Sequence, residues 1–330
     1  MTMNSTMLAL LVNFFWVVTC IVTVLIVYAS QKLLETNHFH PAIQFISTGF
    51  LSTELMYWLP NAGVHYIFGA KLLMPYVITP KEGHKDVAYE VKMWSTPYQM
   101  RAMAEARLSR IQGYWLDPLL YGFIWVGSGD GMITSSLDLT SLISTDIMGW
   151  CKSAAIQFIL LSAFDFGTFL LHWIMHTPTF YLKVHKIHHN VRHLSPWVND
   201  VEHVVESTCN VLLKCFTIIA AARCGAFQSN PWGVSFFFAF TKWYGVMEHL
   251  NMTLPPLNLL LAYRESNYPL SSLITTPTYH DEHHRYLNDI GAAGKLAVYT
   301  TLWDRLFERQ IRASTVKLHY SKENYKPSKR

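Results

Sequence analysis

Long apolar runs separated by short polar stretches fill most of the first 250 residues, and the chain turns mostly polar from Ser266 onward. Met7 to Ala29 carries no charge and is long enough, as a helix, to span a bilayer. It has no basic residues ahead of it and exceeds the apolar core of a signal peptide, so it predicts an uncleaved transmembrane helix over 7–29. Pro41 to Tyr76 is apolar but interrupted by Glu54, Pro60, Gly63, His65 and Gly69. That pattern predicts an apolar hairpin of two short spans, or a re-entrant element, with Glu54 and His65 as satisfied polar groups of a bundle or as pocket lining. Ala154 to Met175 predicts the next clear span. Val204 to Phe227 and Trp232 to Leu250 predict a last pair across Gln228-Ser-Asn-Pro231. Lys214 and Lys242 fall inside that pair and are expected to face the protein interior or to snorkel.

The polar stretches add orientation. Segment 81–110 is basic, with Lys81, Lys85, Lys92, Arg101, Arg107 and Arg110, and 97–110 reads as an amphipathic helix at a membrane surface. Residues 113–126 are apolar and aromatic, and Gly127-Ser-Gly-Asp-Gly131 reads as a turn. Segments 183–192 and 285–330 are also basic, whereas 127–150 and 224–231 hold no Lys or Arg. By the positive-inside bias the basic segments are cytosolic. One crossing by the first helix, a hairpin over 41–76, a pair 111–126 with 154–175 and a pair within 204–250 then put the N-terminus in the lumen. Every histidine group falls on the cytosolic face.

Composition agrees with a membrane protein: 51% of the 330 residues are hydrophobic and only 15% charged, where soluble domains carry about a quarter charged. The net charge of +4 gives no reason to expect a nucleic-acid partner. Five cysteines, an odd number with no CxxC pair, read as reduced thiols rather than a disulfide framework. Asn4-Ser-Thr6 is a glycosylation sequon close to the first span. No internal repeat or low-complexity segment is present.

The chemistry lies in the histidines. His172-Trp-Ile-Met-His176 is followed by His185-Lys-Ile-His188-His189, and the same spacing returns as His280-Asp-Glu-His283-His284. Residues i and i+4 share a helix face, so His172 and His176 are expected to meet one ion. The three imidazoles of each triplet are expected to converge. With His203 and His249, ten histidines are available: His172, His176, His185, His188, His189, His203, His249, His280, His283 and His284. A catalytic ion needs about three protein ligands, so ten suffice for two ions with open positions. Imidazole alone does not choose among Zn, Cu, Fe and Ni. His193 lies outside any spacing and reads as a non-ligand, and His38, His40, His84 and His319 read as surface histidines. Glu202, Glu206, Glu248, Asp281 and Glu282 are placed to orient ring N–H groups. Asp165, about two turns before His172, is expected to reach the site indirectly.

In these motifs the chain resembles the fatty acid hydroxylase and sterol desaturase superfamily of membrane di-iron enzymes, over roughly 152–310. The resemblance rests on HxxxH, the two HxxHH triplets, a lone His203 in Asp200-Val-Glu-His203-Val-Val-Glu206, a lone His249 in Met247-Glu-His249-Leu, and the closing Trp303-Asp-Arg-Leu-Phe307. The order and the HDxHH form are most similar to the C4-methylsterol oxidase branch. Departures are Glu308 after Phe307, Tyr279 before HDxHH where a further His is common, Asn288-Asp-Ile-Gly-Ala-Ala-Gly294 in place of an Asn-Tyr-Gly type of turn, and Leu250-Asn251 after His249. They bear on the substrate more than on the metal centre.

The resemblance implies an all-α integral membrane protein, with four transmembrane helices under a cytosolic helical cap that holds two irons. It implies dioxygen as oxidant and electrons from NAD(P)H, often through cytochrome b5. It also implies hydroxylation, oxidation or desaturation of a lipid C–H bond in lipid or sterol biosynthesis. The expected organisation is a membrane region over 1–151, a catalytic domain over 152–310 with no catalytic residues beyond the metal centre, and a basic tail over 311–330. The expected location is the endoplasmic reticulum membrane, with multiple passes. A fatty acid or sphingolipid hydroxylase is the alternative within this class. Outside it stand a His-rich metal transporter, which needs ionisable residues along a path through the spans, and a scaffold without activity.

Overall fold

Within lipid a chain must satisfy its own backbone, and a helix does so along its whole length. The apolar runs accordingly fold as long helices in the computed structural model. It describes residues 5–69, 114, 117–129, 147–189, 194, 196–226, 232–250, 273–285 and 295–314. The long elements are α1 (Ser5–Thr36), α2 (Pro41–Gly69), α3 (117–128), α4 (Ile147–Met175), α5 (Val204–Arg223) and α6 (Trp232–Glu248). Shorter ones follow, α7 (Pro277–Arg285), α8 (Leu302–Leu306) and α9 (Glu308–Ser314). Among the described residues there is no strand, only an isolated antiparallel bridge between Ile274 and Thr300.

Three helices are long and apolar enough to cross a membrane among the described residues: Phe14–Thr36, Ala154–Met175 and Val204–Arg223. Their outer faces stay apolar where solvent would demand polarity. Phe14, Val17, Ile21 and Leu25 on α1, Phe158 and Ile159 on α4, and Phe216 on α5 are all exposed. The inner faces of α4 and α5 join α2, α3 and α6 in one largely aromatic core of Phe45, Tyr121, Ile124, Phe164, Ile218, Phe237 and Phe238, while α1 packs its Val27 on Trp232. Gly167 lets α4 and α5 touch, since a Cβ there would lie 2.7 Å from Leu213.

The expected hairpin over 41–76 is not formed. Residues 41–69 are one continuous helix with Pro60 inside it. A proline removes a single backbone donor, and side chains of α2 bond its own carbonyls, Asn61 to Tyr57 at 2.8 Å and Ser52 to Thr48 at 2.7 Å. Glu54, taken as an interruption, is a buried helix residue, as is Asn61, and the Glu54 carboxylate accepts from Trp58 Nε1 at 3.1 Å.

With α2 a single helix, α1 starts at the histidine end of the bundle and not, as expected, at the opposite end. Trp16 of α1 packs on Trp243 near the C-terminal end of α6, while Val27 packs on Trp232 at its start. Tyr57 of α2 packs on Trp197, next to the histidines, while Phe45 packs on Trp125. So α1 starts, and α2 ends, at the same end of the bundle as the histidine cluster. The expected spans otherwise stand as helices, with Val204–Arg223 stopping short of Phe227. The amphipathic segment 81–110, residues 70–76 and 130–131, His84, His193, His319 and the tail beyond 314 lie outside the described residues, as does the side chain of His65.

Candidate metal centre

Chain breaks in the right places deliver the histidines. The last turn of α4 presents His172 and, just beyond the helix, His176. Thr177 then turns extended (φ −71°, ψ 152°) and Pro178 restarts a helix, as a ring with no N–H to lose is suited to do. That segment widens into a π-helical turn, Tyr181–His185, and closes as Lys186–His189. The second triplet rides on α7, whose start is capped by Thr276 Oγ1, accepting from Tyr279 N at 3.1 Å.

Nine imidazoles gather in two adjacent groups. His172, His176, His185, His189 and His283 form one; His188, His249, His280 and His284 form the other. Each triplet is therefore divided, contrary to the expectation that its three rings converge. The first and last residues, i and i+4, serve one group and i+3 the other. Successive residues on a helix are about 100° apart, so positions i+3 and i+4 aim at different points. The two triplets do this in opposite sense, and His189 and His284 stack across the divide with centroids 4.5 Å apart.

Ring tautomers follow from what each Nδ1 touches. His172 Nδ1 donates to the Leu296 carbonyl at 2.7 Å, His188 Nδ1 to Val201 O at 3.2 Å and His249 Nδ1 to Gly245 O at 2.6 Å. His185 Nδ1 donates to Glu206 Oε1 at 2.6 Å, a carboxylate in the first turn of α5. A carbonyl or carboxylate only accepts, so the proton sits on Nδ1 and each Nε2 offers a lone pair. Yet these Nε2 atoms face one another: His172 and His185 at 3.2 Å, His188 and His249 at 3.4 Å. Facing lone pairs repel unless a cation lies between them.

The spacing suits a cation. Two imidazoles bonded at about 2.1 Å and at right angles put their nitrogens about 3.0 Å apart, or about 3.4 Å at a tetrahedral angle. Facing nitrogens here lie 3.0 to 3.4 Å apart in both groups. Both nitrogens of His283 and Nδ1 of His189 and His284 are buried without a hydrogen bond among the described residues. Burial pushes the pKa of His185 and of His188 down to about 3, and holds His176, His189, His280, His283 and His284 well below the ordinary histidine value. They stay neutral at physiological pH, the form that binds a metal.

A cavity of about 180 Å³ opens beside both groups, touching His172, His185, His188, His249 and His280, and runs into the bundle between α4, α5 and α6. Its walls mix Phe164, Phe238 and Val211 with Thr241, Asn210 and charged side chains.

Against the ten expected histidines, the structure leaves one apart. His203 is the N-cap of α5, its Nδ1 accepting from Val205 N at 3.2 Å, and it belongs to neither group. Of the expected carboxylates, Glu206 meets a ring nitrogen directly, that of His185. Glu248 accepts from Thr275, Glu282 pairs with Lys295, and Glu202 accepts from Asn210 at 3.4 Å. Burial beside Glu206 and Asp200 pushes the Glu202 carboxyl up to about 8. Asp165 does act at one remove, holding the 299–303 segment. Three ring-orienting groups are backbone carbonyls, for which side-chain reading carries no signal. Gly245 is a partial exception, since a Cβ there would sit 2.2 Å from Asn199 Oδ1.

Fold and site together define a helical membrane protein whose buried, histidine-lined pocket is fit to hold metal in two adjacent positions. Residues 157–309 match the family model described as fatty acid hydroxylase, the stretch over which the motifs carry the resemblance. That family is typically one of oxidoreductases, so the match supports an enzyme acting on a lipid by hydroxylation or desaturation. No curated protein and no solved structure matches the chain.

Proposed function

We propose that the chain is a membrane-bound, dioxygen-dependent oxidoreductase that holds two irons and oxidises a C–H bond of a lipid, a sterol in the first instance. The observation that carries this reading is the pair of adjacent Nε2 groups opening on one cavity inside an apolar bundle. Iron held there would supply the power to activate dioxygen against an unactivated C–H bond. The nine grouped histidines are its ligands, and His203 serves through the α5 cap. Glu206 and the carbonyls of Leu296, Val201 and Gly245 fix the rings so that Nε2 faces inward. The cavity walls orient the substrate and keep bulk water from it.

The sterol is favoured by the order of the motifs, which is similar to the C4-methylsterol oxidase branch; a fatty acid or sphingolipid hydroxylase is the second reading. Electrons would come from NAD(P)H, through a cytochrome b5-type donor. The location that fits is the endoplasmic reticulum, with the site on the cytosolic face, because the basic segments 183–192 and 285–330 flank the histidines.

The test is metal content of purified wild-type protein beside His188→Ala. About two irons per chain in the wild type, and fewer in the variant, is the expected result. Lipid profiling of a strain lacking the protein then identifies what accumulates. Wild-type protein without iron, or iron indifferent to His188→Ala, overturns the reading.

A further inference from the structure

One charged group in the cavity has no use in the metal centre. Lys214 lies on the membrane-spanning segment Val204–Arg223 and lines the cavity. Among the described residues its Nζ has no hydrogen bond and no ion pair; its ring contact is with Phe164, 5.9 Å from the centroid. A lysine within a span is costly and is found where it has a task. Lys242, the other lysine of the cavity, is already paired with Asp200.

Geometry relates Lys214 to the site. Glu206, Ser207, Asn210, Val211 and Lys214 all line the cavity, the i, i+1, i+4, i+5, i+8 pattern of one helix face. Glu206 touches the His185 ring, and eight residues at 1.5 Å each place Lys214 about 12 Å further along the axis. Asp117 of α3 lines the same inner part and acts electrostatically on Lys214. The cavity thus reaches from the imidazoles to the Lys214 ammonium, on which Lys242, Glu202 and Asp200 of the same walls also act.

The charges choose the group to be bound. Asp200 is paired with Lys242, and Asp117 lines the inner part of the cavity with Lys214. A carboxylate or phosphate on the ligand would set a second anion beside Asp117. A hydroxyl adds no charge, accepts from Lys214 Nζ and donates to a wall carboxylate. We infer that Lys214, with Asp117 beside it, is the anchor for the hydroxyl of a neutral lipid alcohol, setting its far end against the histidines. This rests on the lipid-oxidising reading above and specifies which lipids enter; a hydroxyl held that far from the histidines favours oxidation of a remote carbon, on a sterol side chain or at the far end of a long-chain alcohol, over the C4 position next to a sterol's hydroxyl.

The experiment is equilibrium binding to the purified protein of a radiolabelled 3-hydroxysterol and of its 3-O-methyl ether, which keeps the shape and loses the donor. A long-chain 1-alkanol and its methyl ether form a second pair. Wild type is expected to prefer the alcohol by about tenfold, the value of one buried hydrogen bond. Lys214→Met is expected to cut the preference to about twofold, Lys214→Arg to keep most of it, and metal content to stay at the wild-type level in both. Should Lys214→Met not fold, Asp117→Asn, which keeps an acceptor but removes the charge, is expected to weaken the preference in a folded protein. Equal binding of alcohol and ether by wild type, or a preference untouched in Lys214→Met, overturns the anchor. Because binding is read without turnover, a protein that discriminates but never oxidises refutes the oxygenase and leaves the anchor standing.

Discussion

The Tyr279 hydroxyl donates a hydrogen bond to the Asp304 carboxylate, and that contact ties the two histidine groups together. Tyr279 precedes His280 of the four-membered group. Asp304 also accepts from Leu296 N and Ala297 N, both at 3.0 Å, and the Leu296 carbonyl holds His172 of the five-membered group. Asp304→Ala leaves three donors without their acceptor, at about 1–3 kcal/mol for each that stays buried. Expected is a loss of at least about 3 kcal/mol of stability together with metal from both positions. Tyr279→Phe removes one bond and should cost about 1 kcal/mol. Thermal unfolding in detergent and metal per chain check both. Wild-type metal and melting in Asp304→Ala would dismiss the coupling.

Neighbouring histidines should behave differently. His188→Ala takes one of four ligands from its group, while His189→Ala takes one of five. The smaller group has less to spare, so His188→Ala is expected to leave about one ion per chain, and His189→Ala to keep more than that. His203→Ala should leave metal content alone and cost about 1 kcal/mol through the lost α5 cap. Elemental analysis of the three purified variants decides this. Metal loss in His203→Ala equal to that in His188→Ala would restore His203 as a ligand.

Glu206 orients His185 by accepting from its Nδ1. A glutamine can still accept there through its amide oxygen, whereas alanine cannot. Glu206→Gln is expected to hold most of the metal, and Glu206→Ala to lose about 10–100-fold in metal affinity. Competition with a chelator of known affinity measures both. Equal loss in the two variants would mean that the negative charge, rather than the orientation, is what matters.

Much of this site was legible in the sequence, because histidine spacing maps directly onto helix faces. The i, i+4 pair His172 and His176 points into one group as expected. The division of the triplets was latent in the same helical geometry, since i+3 and i+4 diverge by about 100°. His203 stands apart from both groups because resemblance fixes a position in a motif and not where a ring points. The carbonyls of Leu296, Val201 and Gly245 left no trace, as any residue supplies one. In the fold, Pro60 and Gly63 suggested a break that packing overrode. Buried between α1 and α6, α2 keeps its helix through Pro60, and the end of the bundle at which α1 starts changed with it.

Asp165 gives the last prediction. It is 2% exposed within α4 and accepts from Tyr299 N at 3.1 Å, Thr300 N at 3.3 Å, Thr300 Oγ1 at 2.5 Å and Trp303 Nε1 at 2.8 Å. These bonds fasten the 299–303 corner to the helix that ends at His172, and the same corner leads into Asp304. Asp165→Ala strands four donors and should destabilise by about 3 kcal/mol or more. Asp165→Asn keeps one accepting oxygen and should fall between it and wild type. If the corner acts on the site, metal is lost in the order wild type, Asn, Ala, in step with the melting temperature. Trp303→Phe, which removes a single donor and leaves the ring packed on Phe166 with centroids 4.6 Å apart, should sit near wild type. An Asp165→Ala protein that melts early yet binds metal normally would confine Asp165 to holding the fold.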